Sequence, residues 1–149
     1  ERFAFFWKTG DKLGVLSNWA MTPFVDAEGR RFTTSEQYMM HRKALLFNDE
    51  HVAAQIMAAG DKPAKQKALG RKVRNFDQAA WEANRCRIVE DACYLKFSQN
   101  ADARALLLAT GTATLVEASP LDKIWGIGLA ANHEHARVRT KWRGLNLLG

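Results

Sequence analysis

The order of hydrophobic and polar positions predicts short strands in the first third of the chain. Phe3–Trp7 is aromatic and extended, and Gly14–Trp19 is a second candidate strand. Phe24–Asp26 and Arg30–Thr33 fit the two arms of a hairpin that turns through Ala27-Glu28-Gly29. Gly29 can adopt the positive φ that such a turn requires. The strands predict a small β element near the start.

Helical signals begin at the first threonine pair. Thr33-x-x-Glu36 and Thr34-x-x-Gln37 are both capping-box spacings, and they precede a helix predicted to run to about Phe47. Caps, glycines and a proline delimit four further predicted helices: Asn48-Asp49 to Gly60, Pro63 to Gly70, Asp77 to about Phe97, and Asn100–Asp102 to Gly111. The longest of these carries one apolar face, made by Trp81, Ile88, Ala92 and Leu95.

The last third alternates between an extended segment and a loop. Thr114–Ala118 alternates enough to predict a strand, and Ser119–Asn132 contains one proline and two glycines, which predicts a loop. A short helix is expected over His135–Trp142. No repeat or linker interrupts the pattern, so residues 1–149 are predicted to form one domain, mainly α with a small β element, an α+β fold.

Composition narrows the class of protein. Hydrophobic residues make up 47% of the 149 residues, as in a globular domain, and no apolar run reaches the roughly 18 residues of a membrane helix. Cys86 and Cys93 are seven apart in one predicted helix, about 10 Å, which is too far for a disulfide. Free thiols predict a cytoplasmic or nuclear protein. The net charge of +6 favours an anionic partner.

The first motif that can carry chemistry lies on the first helix. Glu36 and Lys43 are seven apart, so they share a helix face about 10 Å apart along the axis. A carboxylate could move a proton, and an amine could attack an electrophilic sugar carbon. The structural alternatives are a capping-box carboxylate for Glu36 and a solvated charge for Lys43.

The second motif is the loop Asp122-Lys123-Ile124-Trp125-Gly126-Ile127-Gly128. Its glycines, Gly126 among them, would let backbone N–H groups approach a ligand. Asp122 could assist a water molecule or stabilise a positively charged ribose, and Trp125 could stack on a base. The alternative is a turn with a capping aspartate and a buried tryptophan. The glycines do not form a dinucleotide-binding fingerprint.

A basic cluster surrounds Gly70. It comprises Lys62, Lys65, Lys67, Arg71, Lys72 and Arg74. Arg71, directly after the glycine that ends its helix, is the candidate for a phosphate contact, and a solvated helix face is the alternative. His133-x-His135 lacks further ligands at zinc spacing, so neither a metal nor a cofactor is expected.

Several motifs in one order resemble the YbiA-like (NADAR) family across essentially the whole chain. They are Phe5-Phe6-Trp7, Leu16-Ser17-Asn18-Trp19, Thr34-Ser35-Glu36-Gln37-Tyr38-Met39-Met40-x-x-Lys43-Ala44, Leu69-Gly70-Arg71, Trp81, Lys96-Phe97, Leu106-Leu107-Leu108-x-Thr110-Gly111, Leu115-Val116-Glu117-Ala118-Ser119-Pro120, Asp122-x-x-Trp125-Gly126-Ile127-Gly128 and Asn146-Leu147-Leu148-Gly149.

The resemblance implies a mainly helical enzyme that hydrolyses the bond between ribose C1′ and nitrogen. Two substrate classes are associated with the family: ADP-ribose on guanine bases of DNA or RNA, and phosphoribosylated intermediates of riboflavin synthesis. The basic charge favours the first. A binding module for ADP-ribose or nucleotides, without catalysis, is the alternative of another class.

The resemblance also assigns roles to residues. It implies catalytic roles for Glu36 and Asp122 and a covalent role for Lys43. Substrate contacts are expected from Asn18, Arg71, Trp81, Trp125 and Gly126. Glu36 and Asp122 are expected to meet in one cleft around the anomeric carbon.

Overall fold

The computed structural model describes every residue from Glu1 to Gly149. Helical segments, including two 3-10 turns, hold 44% of the residues and strands hold 8%, which confirms the mainly α fold with a small β element. The elements are β1 Phe3–Phe6, β2 Phe24–Val25, β3 Arg31–Phe32, α1 Ser35–Leu46, α2 Glu50–Ala58, α3 Pro63–Gly70, α4 Gln78–Gln99, α5 Ala101–Ala109 and β4 Thr114–Glu117.

The chain divides into two compact units. The central unit comprises residues 18–101, and the terminal unit combines residues 1–17 with residues 102–149. Each unit has its own small sheet: β2 pairs with β3 in the central unit, and β1 pairs with β4 in the terminal unit.

In the central unit, α1 is the core helix. It packs against α2, α3 and α4, and most of its residues are buried. The predicted hairpin is confirmed, with Phe24 paired to Phe32 and Gly29 at φ 81° in the turn. The rings of Phe24, Phe32 and Tyr38 pack together with centroids 5.0 to 5.8 Å apart, so the hairpin is held on α1 by aromatic contacts.

Side-chain caps begin three of the helices at the predicted residues. Thr34 caps α1 by accepting from the Gln37 N–H, Asp49 caps α2 through Val52, and Asp77 caps α4 through Ala80. Each cap satisfies a backbone donor that the first helical turn leaves without a partner. The local sequence therefore sets where α1, α2 and α4 start.

In the terminal unit, β1 and β4 run parallel, in register from Phe3 with Thr114 to Phe6 with Glu117. They lie beside a core of fully buried aliphatic side chains from β4 and from the loop that follows it: Val116, Ile127, Leu129 and Ala136. Phe3, Phe5 and Trp142 pack against this core from its edge.

Two predicted elements are wrong. The segment Gly14–Trp19 is not a strand: the Gly14 and Leu16 N–H groups bond to carbonyls three residues earlier, which makes a 3-10 turn over Gly14–Leu16. The helix expected over His135–Trp142 is only a 3-10 turn at Arg139–Lys141, because the N–H donors there also reach back three residues.

Other sequence predictions concern the thiols and the membrane. Cys86 and Cys93 are both free, as predicted from their spacing. None of the helices combines the length and the apolar character that crossing a membrane requires.

Candidate active site

The first turn of α1 buries Glu36 without using its carboxylate as a cap. The Thr33 N–H, which a capping-box glutamate would bind, donates instead to Gln37 Oε1 at 2.8 Å. The Glu36 N–H donates to the Asn18 carbonyl at 2.9 Å, and the residue is 4% exposed. Because Gln37 Oε1 accepts from the Thr33 N–H and Thr34 caps the helix, the capping-box explanation for Glu36 does not hold.

Lys43 lies two turns further along α1, in an aromatic setting. Its Nζ is 4.8 Å from the ring centre of Phe76 and 5.5 Å from that of Trp81. Burial lowers the pKa of Lys43, the charge of Glu36 raises it, and the charge of Arg71 lowers it again. A half-buried lysine with a lowered pKa supplies more neutral amine than a solvated one, so the surface-charge alternative does not fit.

Arg71 is brought to Lys43 by the contact between α3 and α1. A Cβ added to the buried Gly70 at the end of α3 would lie 1.9 Å from Met40 Sδ. Only a residue without a side chain allows this approach, and Met40 lies between Glu36 and Lys43 on α1. Arg71 follows directly and is exposed, which leaves its guanidinium accessible to an anion.

Two polar atoms beside Glu36 are buried and lack hydrogen-bond partners. They are Asn18 Oδ1 and Ser35 Oγ, in residues that are 5% and 1% exposed. A buried polar atom without a partner costs about 1–3 kcal/mol, a cost that a ligand could relieve. The sequence predicts a substrate contact for Asn18 and gives no such signal for Ser35.

Phe76 is a further residue of the site that the sequence does not predict. Its ring is closer to Lys43 Nζ than that of Trp81, it packs edge-on against Phe47 at 5.3 Å, and it is 44% exposed. It follows Asn75, which has φ 57°. The order Asn-Phe-Asp before a helix could have suggested a turn, but nothing in the sequence signals the contact with Lys43.

In the terminal unit, Asp122 orders its own loop. Its Oδ1 accepts from the Ile124 N–H at 2.8 Å and from the Trp125 N–H at 2.9 Å. The N–H of Asp122 itself donates to Ser119 Oγ at 3.1 Å. This is the capping aspartate expected as the structural alternative, so Asp122 has at least this structural role.

Gly126 serves close packing of the same loop. A Cβ there would lie 2.8 Å from the Glu117 carbonyl oxygen and 2.9 Å from that of Asp122. The N–H groups of Ile127 and Gly128 are both bonded within the protein, to the Glu117 and Asp122 carbonyls respectively. Trp125 is half-buried beside them. That Gly126 and Trp125 contact substrate stays a prediction.

The structure therefore gathers four predicted residues, Glu36, Lys43, Arg71 and Trp81, in the central unit, with Asn18 bonded to the backbone of Glu36. Asp122, Trp125 and Gly126 share one loop of the terminal unit. The expectation that Glu36 and Asp122 meet in one cleft stays a prediction.

The central unit thus combines a buried acid, Glu36, an amine with a lowered pKa, Lys43, and an accessible guanidinium, Arg71. Such a combination is typical of an enzyme active site. Residues 5–149 match the family model described as the NADAR domain. This chain belongs to the NADAR family.

Relatives and a solved structure agree with this assignment. N-glycosidase R617 of Acanthamoeba polyphaga mimivirus is 45% identical over 139 residues, which cover 91% of this chain and 81% of that protein. N-glycosidase YbiA of Escherichia coli is 35% identical over 123 residues, covering 83% and 74%. The NMR structure of E. coli YbiA matches with a TM-score of 0.77 and 31% identity, over 99% of this chain and 78% of that one.

Proposed function

We propose that this chain, an N-glycosidase of the NADAR family, removes ADP-ribose from guanine in nucleic acid by hydrolysing the ribose C1′–N bond. The observation that carries the proposal is the position of the Lys43 amine. It lies beside the rings of Phe76 and Trp81, and the charges of Glu36 and Arg71 both act on its pKa. The relatives named N-glycosidases support the reaction class. The net charge of +6 favours a polyanionic substrate.

The reaction requires stabilisation of positive charge on the sugar. As the C1′–N bond breaks, its electron pair leaves with the base, and C1′ takes on oxocarbenium character. A carboxylate beside C1′ stabilises that charge and can orient the attacking water molecule. Glu36 is assigned this task, because its carboxylate is buried on the face that leads to Lys43.

Lys43 provides a covalent version of the same reaction. Its neutral amine attacks C1′ as the base departs with a proton, and opening of the ribose ring then gives an imine between Nζ and C1′. Water adds to the imine and releases ADP-ribose and the amine. The lowered pKa of Lys43 favours this version, since only the deprotonated amine is a nucleophile.

Arg71 and the aromatic rings are assigned to binding. The exposed guanidinium of Arg71 can bind a phosphate oxygen pair in a bidentate manner. Phe76 and Trp81 offer ring faces for the base or the ribose. Both tasks need a phosphorylated substrate that carries an aromatic base.

A direct test supplies two substrates to the purified protein in parallel. One is ADP-ribosylated guanine in a DNA oligonucleotide, and the other is the phosphoribosylated aminopyrimidine of riboflavin synthesis. Release of free ADP-ribose from the first, at a rate well above that of the second, is the expected result. Faster cleavage of the second would move the assignment to riboflavin intermediates, and tight binding without turnover of either would indicate a binding module.

The covalent step is tested by adding borohydride during turnover. Reduction of the imine to a secondary amine leaves the sugar attached, and peptide mass mapping is expected to locate it at Lys43. The matched control is Lys43→Arg, which keeps the positive charge but not the nucleophilic amine. If the wild-type protein turns over substrate and forms no adduct, direct attack by water is the mechanism.

A further inference from the structure

A row of cations lies near the end of the terminal unit, outside the residues assigned above. Four exposed basic side chains alternate with other residues: Arg137, Arg139, Lys141 and Arg143, here called the basic segment. Residues 136–149 contain no aspartate or glutamate. The segment therefore presents positive charge to solvent without acidic residues interspersed.

Aromatic rings hold two of these cations on the core of the unit. The Arg137 guanidinium lies 5.2 Å from the ring centre of Phe5, and that of Arg139 lies 5.8 Å from that of Trp142. Both rings pack on the aliphatic core, and Trp142 Nε1 donates to the Ala136 carbonyl at 2.8 Å. A ring restrains a guanidinium without neutralising it, so less entropy is lost when its N–H groups bind an anion.

Most of the charge in the segment is not neutralised. Arg139 pairs with Glu1 and also donates to Thr114 Oγ1. The ion pairs of the structure include none from Arg137, Lys141 or Arg143. Three cations in this short stretch therefore remain available for an external anion.

The basic segment continues into the loop that contains Asp122. The Arg143 N–H donates to the Ile127 carbonyl at 2.9 Å. A Cβ added at Gly128 would lie 3.1 Å from both Arg143 Cβ and Lys123 Cγ, so these two basic side chains flank the same glycine. Lys123 is exposed and has no ion pair either. It extends the row of cations to the residue next to Asp122.

We infer that the basic segment and Lys123 bind the phosphates of the nucleic-acid strand that carries the modified guanine. A single nucleotide offers only one or two phosphates, whereas a row of separate cations matches the repeated phosphates of a strand. These contacts are independent of sequence, so they bind the strand without reading its bases. The inference rests on the proposed function.

The test compares two double variants of equal charge. Arg137→Gln with Arg143→Gln alters the basic segment, and Arg31→Gln with Arg87→Gln removes two exposed arginines of the central unit. Binding of an unmodified, fluorescein-labelled single-stranded DNA oligonucleotide is followed by anisotropy over a range of salt concentrations. Thermal unfolding of each variant confirms that it is folded.

The basic-segment variant is expected to bind about tenfold more weakly, with a salt slope reduced by about 0.7 for each lost phosphate contact. The control variant should change affinity less than about twofold, because its arginines lie elsewhere. Equal losses in both variants, or no loss in the first, would overturn the inference. So would binding of phosphatidylserine vesicles by the wild-type protein without binding of the oligonucleotide.

A second measurement separates this inference from the proposed function. The wild-type protein is given ADP-ribosyl-guanosine, a substrate too small to span the basic segment. If the protein cleaves ADP-ribosyl-guanosine but its affinity for DNA does not depend on the basic segment, the inference is rejected and the proposed reaction stands. If binding of DNA depends on the basic segment but the protein cleaves neither ADP-ribosyl-guanosine nor ADP-ribosylated DNA, the proposed reaction is rejected instead.

Discussion

The contact between Gly70 and Met40 gives a prediction with a magnitude. In Gly70→Ala the new Cβ would lie 1.9 Å from Met40 Sδ and 2.8 Å from its Cγ. Ordinary carbon contacts are about 3.5–4.0 Å, so the methionine side chain or the end of α3 must move. Overpacking of this kind costs about 1–3 kcal/mol, and replacing a helical glycine returns about 0.5–1 kcal/mol. The expected net loss is therefore about 0–2.5 kcal/mol.

A double-mutant cycle isolates the cause. Met40 is 6% exposed, so Met40→Ala alone should cost about 2–5 kcal/mol through the cavity it creates. In the double variant the alanine at position 70 no longer meets Sδ or Cγ, so the added loss from Gly70→Ala should disappear. The coupling energy equals the overpacking cost, because the gain from replacing the glycine is present with or without Met40, so it is expected to be about 1–3 kcal/mol in favour of the double variant.

Urea unfolding followed by circular dichroism measures all four proteins. Gly10→Ala is the matched control, because a Cβ at Gly10 meets nothing within 4 Å and the backbone there does not have a positive φ. Additivity within about 0.5 kcal/mol, or stabilisation by Gly70→Ala alone, would refute the close-approach explanation. The same result would remove the reason given for the position of Arg71.

Two further predictions concern pH and the Asp122 loop. Burial, with the charges of Arg30 and Arg42, lowers the pKa of His41 from 6.5 to about 4. Below pH 6.5 His41 is protonated in the unfolded chain but stays neutral in the folded protein. The free energy of unfolding should therefore fall by about 2 kcal/mol between pH 7.5 and pH 5 because of His41. His41→Gln should flatten the pH dependence of urea unfolding, and an unchanged slope would contradict the assignment. Asp122→Asn keeps an oxygen that can accept from the Ile124 and Trp125 N–H groups. Asp122→Ala removes this acceptor and should lower the free energy of unfolding by about 1 kcal/mol. If the carboxylate is catalytic, both variants lose activity and only alanine loses stability; an active Asp122→Asn would make the residue structural.

Elements encoded by neighbouring residues were predictable from the sequence. The caps Thr34, Asp49 and Asp77 each bond to an N–H three residues later, so their chemistry is local and readable. The hairpin was readable for the same reason, through Gly29. The helix predicted over His135–Trp142 was wrong, because the local pattern of polar residues does not distinguish an α-helix from successive turns. In those turns each backbone N–H donates to the carbonyl three residues earlier.

Features that join distant residues were not predictable in this way. The parallel pairing of β1 with β4 brings Phe3 to Thr114, and no local pattern encodes a partner so far away in the chain. In the candidate site, the spacing of Glu36 and Lys43 was readable along one helix. The ring of Phe76 reaches Lys43 from a different segment, so only the fold reveals it.

We propose that the Glu36 carboxylate, buried in α1, takes part in breaking the ribose C1′–N bond. The most direct measurement is the single-turnover rate of Glu36→Gln on the substrate that the wild-type protein cleaves, together with its Kd and Tm. We expect a rate lower by about a thousandfold, with Kd and Tm close to those of the wild-type protein. A rate within about tenfold of wild type, in a folded variant that binds substrate normally, would contradict it.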